Sequence, residues 1–539
     1  MRRFGAMRML AVAAVMALAT AACTGTSTEP SGSGTPSGSG APVDTNFTMA
    51  YHSEIMVSWD PSDSYSNEVI AMQNMYETLT RYDSETQEVV PMLATSWESN
   101  DDGTEWTFTI RDGVTFHSGR AMTSEDVKAS IERTMEIGGG AAYIWGPVKS
   151  IETPDPTTVT FTLKYSAPLD LVASADYAAY IFDTQAAGDQ DLAKWFADGN
   201  EAGTGPYMLD AWDKGADVEL RLKAFPDYWG GWDGTRYQNV IFRYVPESTT
   251  AAQLLRSGEV TWVERLNPQL WATFQEDPNT TTTSTASWQT LLAMLNTADG
   301  PLADQQVRQA VMAGIDYDGM MQALQGGAQK LSGVVPPGLW GHVEDLYPTY
   351  DAEQAASLLG EAGYGPDGEA MDLELTYVTG DSDEQTVATL MKSNLADLNV
   401  NVDARGMQWT AQWAKGKSAN VEERQDIFLF YWWPDYADPY SWFINLFHTE
   451  DPPFFNLSYY SNPEIDAQME EAEQLAASDR EASTQMFQDM QVTLYDEVPS
   501  ISIYTQTYQR AMLKTFGGYV DNPAYPNVVF VYDLTPGAA

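Results

Sequence analysis

A single cysteine in 539 residues rules out a disulfide within the chain, and four scattered histidines leave little material for a metal centre or an imidazole base. His52, His117, His342 and His448 fall in no metal-ligand spacing such as His-Glu-x-x-His, so they read as surface or loop residues. Cations are scarce as well: 28 Lys and Arg stand against 76 Asp and Glu, a net charge of −48. Phosphate binding needs clustered cations, so nucleic acid is excluded as a partner, and an anionic lipid surface would repel the body of the protein. Beyond Cys23 no apolar run approaches the roughly 20 residues that span a bilayer. No segment recurs at fixed spacing, which argues against a solenoid or propeller. Catalytic signatures are equally thin. There is no Gly-x-Ser-x-Gly elbow, and Gly138-Gly139-Gly140 lacks the strand, lysine and helix of a phosphate loop and is expected to let a loop turn. Carboxylates are so many that pairs suited to glycoside hydrolysis arise by number alone, and none is singled out. Nothing in these patterns points to an enzyme, a cofactor or a metal.

What is present begins at the N terminus. Arg2, Arg3 and Arg8 precede the apolar stretch Met9 to Leu18 and the small residues Ala19-Thr20-Ala21-Ala22, the layout of a cleavable export signal over residues 1–22. Cys23 follows at once, and Thr24 to Ala41 is almost wholly Gly, Ser, Thr and Pro, a flexible tether with nothing to bury. The arrangement resembles the lipobox of bacterial lipoproteins, whose first mature residue is a cysteine that receives a diacylglyceryl group. That resemblance implies a lipidated Cys23, a tether over residues 23–42 and a membrane contact made through the anchor only, since two acyl chains hold a protein stably. Loss of the leader removes three arginines and no acid, so the mature charge becomes −51.

Past the tether the hydrophobic pattern alternates between periods. Asn46 to Ser53 reads as a strand, and Asn67 to Thr80 as a helix with Val69, Ile70, Met72, Met75, Tyr76 and Leu79 on one side. Trp106 to Ile110 and Val159 to Leu163 alternate as strands; Thr123 is the expected N-cap of a helix with acids in its first turn, running to about Met135. Further helices are predicted near 304–313, 352–362 and 382–398, and one long acidic helix from Asn462 to Asp496. About 500 residues with 43% hydrophobic content supply several cores, so the expectation is an α/β chain of several sub-domains.

The most informative segment is Phe428 to Pro439, a buried-type strand that ends in Trp432 and Trp433 and then a turn carrying Asp435 and Asp438. Aromatics bordering a charged turn suit a ligand with apolar parts and one cationic or hydrogen-bonding group. Asp438 precedes Pro439 as a helix cap precedes an N1 proline, which leaves Asp435 to contact ligand. Trp409, Trp432, Trp433 and Tyr436 offer flat platforms for a sugar, and Asn456 and Asn462 offer amides for its hydroxyls.

Many blocks in order carry a wider resemblance: Tyr76-Glu77-Thr78-Leu79, Val90 to Trp97, Asp101 to Phe108, Arg111 to His117, Glu125 to Ser130, Gly203-Thr204-Gly205-Pro206-Tyr207, Asp227 to Gly231, Val307 to Ala310 with Ile315-Asp316, and Leu358-Leu359 with Ala362-Gly363-Tyr364. Together they are similar to the family 5 solute-binding proteins of ABC importers, the peptide, nickel and oligosaccharide receptors. Thr261 and Tyr317 depart from the usual Asp and Arg at two scaffold positions. The resemblance implies an α/β fold of the type II periplasmic-binding kind, with two lobes and a hinge. Lobe I would comprise residues 43–80, 201–288 and 506–539, with an extra domain, 81–200, packed on it; lobe II would span 289–505. It implies a monomeric, non-enzymatic receptor on the outer face of the cytoplasmic membrane that passes a small solute to permease subunits. In peptide-binding members an aspartate of the loop matching Trp433 to Pro439 pairs with the ligand's α-amino group, and the matching residue is Asp435. The expected ligand is a peptide; an oligosaccharide receptor, an extracellular hydrolase, and a surface adhesion or sensor protein stand as alternatives.

Overall fold

Thr280–Leu295 and Ser500–Leu513 are the longest strands, and their antiparallel pairing, from Thr280 opposite Leu513 to Met294 opposite Ser500, forms the spine of the molecule. The computed structural model describes residues 45–53, 58–83, 85–213 and 219–537. The leader, Cys23 and the tether expected from the sequence lie outside the described residues. Eleven of the described strands make one sheet. On one side of the spine lie Ile427–Trp432, Met371–Val378 and Val400–Met407. On the other lie Trp262–Val263, Asn46–Tyr51, Asn239–Tyr244, Glu219–Ala224 and Tyr207–Asp213, while Ala328–Lys330 pairs with Ser500–Leu513. The parallel pair Met371 to Val378 beside Val400 to Met407 is connected by helix Ser382–Ala396, whereas the parallel pair Asn46 to Tyr51 beside Asn239 to Tyr244 is connected by a long excursion of strands and helices.

Helices cover the sheet because their apolar residues recur on one face. Ser382–Ala396 buries Val387, Ala388, Met391 and Leu395, and Asp381 caps it by accepting the N–H groups of Asp383 and Glu384, each at 2.9 Å. These side chains join a core built wholly from residues 291–504, including Leu291, Val311, Leu359, Leu429 and Ile503. Within residues 81–200 a four-stranded antiparallel sheet has the order Ala94–Ser99, Glu105–Ile110, Thr158–Leu163, Val148–Asp155. Helix Ser124–Ile137 packs on it, and Trp145 stacks on Phe161 at 6.1 Å beneath. The Asp126 carboxylate accepts the Thr123 N–H at 2.8 Å, and Gly138, at φ 62°, ends the helix in the left-handed turn that glycine adopts freely.

Two helical expectations are corrected. Between Asn67 and Thr80 only Val69–Met72 is helical, although Met75, Tyr76 and Leu79 are buried as expected. The carbonyls of Asn74 and Met75, which a longer helix would use, accept instead from the N–H groups of Tyr207 and Gly205. Gly203 makes that approach feasible, since a Cβ there would lie 1.9 Å from the Met75 carbonyl oxygen. The long acidic helix is two, Pro463–Leu475 and Arg480–Glu497. Asp479 caps the second at the Ala482 N–H, and the Ser483 hydroxyl donates to the Ala472 carbonyl across the hairpin. The histidines are corrected too: His52 and His117 are mostly buried, each 2.7 Å from a glutamate, Glu264 and Glu201.

Candidate functional site

Strand Ile427–Trp432 sends alternate side chains to opposite faces of the sheet. Ile427 and Leu429 enter the core of residues 291–504, while Phe428, Phe430 and Trp432 face an aromatic cluster. There Trp409 stacks on Phe430 at 6.0 Å with an interplanar angle of 10°, Trp432 meets Phe455 edge-on at 5.2 Å, and Tyr65 meets Phe455 at 5.9 Å. These rings form one wall of a cavity of about 100 Å³, set in a recess that opens to solvent. Small-ligand sites combine such apolar walls with a few placed polar groups.

The first polar group is Asp435, at the turn after the strand. Its Oδ2 accepts from the Tyr143 hydroxyl at 2.6 Å, the Ser441 hydroxyl at 3.1 Å and the Asn445 amide at 3.3 Å. Among the described residues no donor is directed at Oδ1, and the residue lines the cavity. Burial raises its carboxyl, the three donors pull it back, and the balance is a value pushed up to about 6. No cation is paired with Asp435 among the described residues. Beside it, the Asp176 N–H donates to the Asp435 carbonyl at 2.8 Å. The Asp176 carboxyl is buried with neither oxygen hydrogen-bonded, and burial, with the Asp435 charge adding, drives its pKa well above the usual carboxylate range.

Asp176 therefore lowers stability as pH rises. The unfolded chain gives up this proton near 3.9 and the folded chain only at higher pH, so the folded state becomes progressively less favoured from about pH 4 upward through the folded-state value. Asp176→Asn, which has no charge to bury, should be more stable than the parent at pH 7 by about 1–3 kcal/mol and lose that advantage near pH 4. Thermal melts at the two pH values measure it.

The second polar group is a charged cluster. Arg265 donates to Asp381 Oδ2 at 2.6 Å, to the Gln506 amide oxygen at 2.8 Å and to the Tyr431 hydroxyl at 3.3 Å. His52 lies between two acids, with Nδ1 2.7 Å from Glu264 and Nε2 3.4 Å from Asp381. Burial alone would depress the imidazole, but the Glu264 charge and the hydrogen bonds to both acids outweigh it and push it up to about 9. Glu264, despite burial, is lowered to about 2 by His52, Arg265 and Arg510, and Asp381 is held well below its ordinary value by Arg265 and His52. The cations here are thus matched by acids of the protein, unlike Asp435.

Of the residues singled out from the sequence, Asp435, Trp409, Trp432 and Trp433 line the cavity. Tyr436 is buried and is not among its lining. Asn456 is corrected: its amide donates to the carbonyls of His448 and Tyr460 at 2.9 and 2.8 Å and its oxygen accepts from Ser458, so it organises a loop. Asn462 caps helix Pro463–Leu475. Asp438 accepts the Tyr440 N–H at 2.9 Å, but the N-cap of helix Tyr440–Leu446 is Pro439, so Asp438 stands one residue ahead of the position expected for it. His52, Arg265, Gln289, Asp381, Phe430 and Phe455 line the cavity without having been flagged, because no local pattern distinguishes them from other residues of their types. Among the described residues no group of three His, Cys, Asp or Glu is arranged to hold a metal ion, and no helix is long and apolar enough to cross a membrane.

This architecture, a cavity between elements hung on a shared pair of long strands, defines a solute-binding protein. Residues 88–453 match the model of the bacterial extracellular solute-binding proteins, family 5, and the chain belongs to that family. It is 29% identical over 468 residues to the probable D,D-dipeptide-binding periplasmic protein DdpA of Escherichia coli, covering 84% of this chain and 87% of that one. It is 26% identical over 481 residues to the dipeptide-binding protein of the same organism, covering 83% and 87%. In fold it matches the periplasmic binding protein DppA of Helicobacter pylori in complex with the peptide STSA, with a TM-score of 0.80 at 24% identity over 92% of this chain and 98% of that one. NikZ of Campylobacter jejuni in complex with Ni(L-His) matches with a TM-score of 0.80 at 21% identity, over 91% and 99%. The fold is the type II periplasmic-binding fold, and the family consists of extracytoplasmic substrate receptors of ABC importers rather than enzymes.

Proposed function

We propose that the chain is a lipid-anchored, monomeric receptor that captures a short peptide between two closing lobes and delivers it to the permease of an ABC importer. Asp435 carries the reading. A buried carboxyl that lines the cavity, with one oxygen held by three donors, none directed at the other among the described residues, and no protein cation paired with it there, suits an ammonium group of the ligand. The names of the dipeptide-binding relatives support the same choice. Lobe I is assigned to residues 43–80, 201–288 and 506–539 with the extra domain 81–200, and lobe II to 289–505. On that division His52, Glu264 and Arg265 belong to lobe I, Asp381, Trp409 and Asp435 to lobe II, and closure by hinge motion encloses the ligand. An oligosaccharide is less well served, because the Asn456 and Asn462 amides are engaged within the protein. Calorimetric titration with dipeptides and with oligosaccharides tests the proposal; heat from oligosaccharides alone, or from neither, would reject the peptide reading.

Anchoring rests on the lipobox-like Cys23 and its tether. Cys23→Ala is expected to move the protein from the membrane fraction to the soluble one, since among the described residues no helix is long and apolar enough to cross a membrane in its place. Fractionation and immunoblotting provide the measurement.

A further inference from the structure

The spine strands are not in continuous register. Ala286 pairs with Thr507 and Thr290 with Thr505, so Ser287, Trp288 and Gln289 stand opposite the single residue Gln506. Ser287 fixes this bulge: its hydroxyl donates to the Gln506 carbonyl at 2.7 Å and accepts the Gln289 N–H at 3.1 Å. Bulges of this kind re-aim side chains and recur beside functional sites. Trp288 is turned against Tyr82, with ring centroids 5.9 Å apart, while Gln289 is turned to the cavity that Asp435 also lines. Gln289 is only 3% exposed, and its amide oxygen has no hydrogen-bond partner among the described residues. A buried polar atom left unpaired costs stability, so a scaffold role would be better served by an apolar side chain.

We propose that Gln289 is a ligand-contacting residue whose amide oxygen accepts a backbone N–H of the bound peptide, while Asp435 holds the peptide's ammonium group. The inference rests on the peptide reading of the cavity. It also explains why an unpartnered amide stands on the pair of strands shared by both flanks of the sheet: the ligand supplies the missing donor where the two flanks meet.

Calorimetric titration of the full chain in detergent with Phe-Ala, whose ring suits the aromatic wall, tests it. Gln289→Met should weaken binding about tenfold, the size of one hydrogen bond to a buried group. The ligand-free melting temperature should stay the same or rise, which a structural amide would not permit. Gln289→Glu keeps an acceptor oxygen in place and should bind within about threefold of the parent. Unaltered affinity in Gln289→Met, a fall in its melting temperature, or equal loss in both variants would overturn the inference. Parent protein and Asp435→Asn run in parallel separate the two levels. No heat with the parent rejects the peptide reading and this inference with it. Binding by the parent that is lost in Asp435→Asn but kept in Gln289→Met rejects the Gln289 contact alone.

Discussion

Asp435→Asn is expected to weaken peptide binding by about 2–5 kcal/mol, roughly 30-fold to several thousandfold in Kd. The substitution preserves shape and keeps one oxygen that can accept from Tyr143, Ser441 and Asn445, so the loss comes from the charge. In the parent, a ligand ammonium desolvated by the aromatic wall meets an ionised carboxyl; in the variant it is enclosed without a counter-charge. An oligosaccharide would lose only about 1 kcal/mol, one hydrogen bond. The pH dependence carries a second signature. Burial, offset by its three donors, leaves Asp435 near 6 in the empty site, and ammonium binding requires the ionised form. Below that value a proton must leave before ligand binds, so Kd should rise by up to about tenfold per pH unit as pH falls, and the slope should vanish in Asp435→Asn. Titrations at pH 5, 6 and 7.5 measure both effects.

Asp381→Ala is expected to destabilise the protein by about 3–5 kcal/mol, because it strands buried Arg265 and unpairs one side of His52. The same residue caps helix Ser382–Ala396 with its other oxygen. Asp381→Asn keeps an oxygen for that cap and should recover about 1 kcal/mol of the loss, leaving the charge contribution. Equilibrium denaturation of both variants separates the two roles. The sign of the pH dependence follows from the partners. With its folded-state value raised to about 9, His52 contributes stability that is complete below its unfolded value near 6.5 and is lost as pH rises through 9. With its value lowered to about 2, Glu264 contributes stability that is complete above its unfolded value near 4.3 and is lost as pH falls toward 2. The cluster is therefore at full strength between roughly pH 4.5 and 6.5. Removing the Asp381 charge should lower the His52 titration midpoint, while Glu264 at 2.7 Å still holds it above the free value, as imidazole NMR titration would show.

Local chemistry was legible in the sequence wherever the rule is short-ranged. Alternation over Trp106 to Ile110, the Thr123 cap with Asp126 three residues on, and the aromatic strand ending at Trp432 rest on periods of two or 3.6 residues and on capping offsets, and each appears in the fold. Asp435, three residues before the Asp438 that accepts the Tyr440 N–H, is set apart in the sequence from the start of the helix. Tertiary structure decided what no offset encodes. His52 meets Glu264 across 212 residues and Arg265 meets Asp381 across 116, through a strand order that only the assembled sheet defines. The helix expected after Asn67 yielded because the N–H groups of Gly205 and Tyr207 claim the carbonyls of Met75 and Asn74, an approach that the missing Cβ of Gly203 permits. Asn456 and Asn462, polar enough on paper to serve a ligand, were taken by loop and cap because buried amides must bond to whatever folds beside them. Gln289 shows the converse: a three-against-one register turns a strand residue into the cavity with its oxygen unpaired, and register is fixed by the partner strand rather than by the sequence around it.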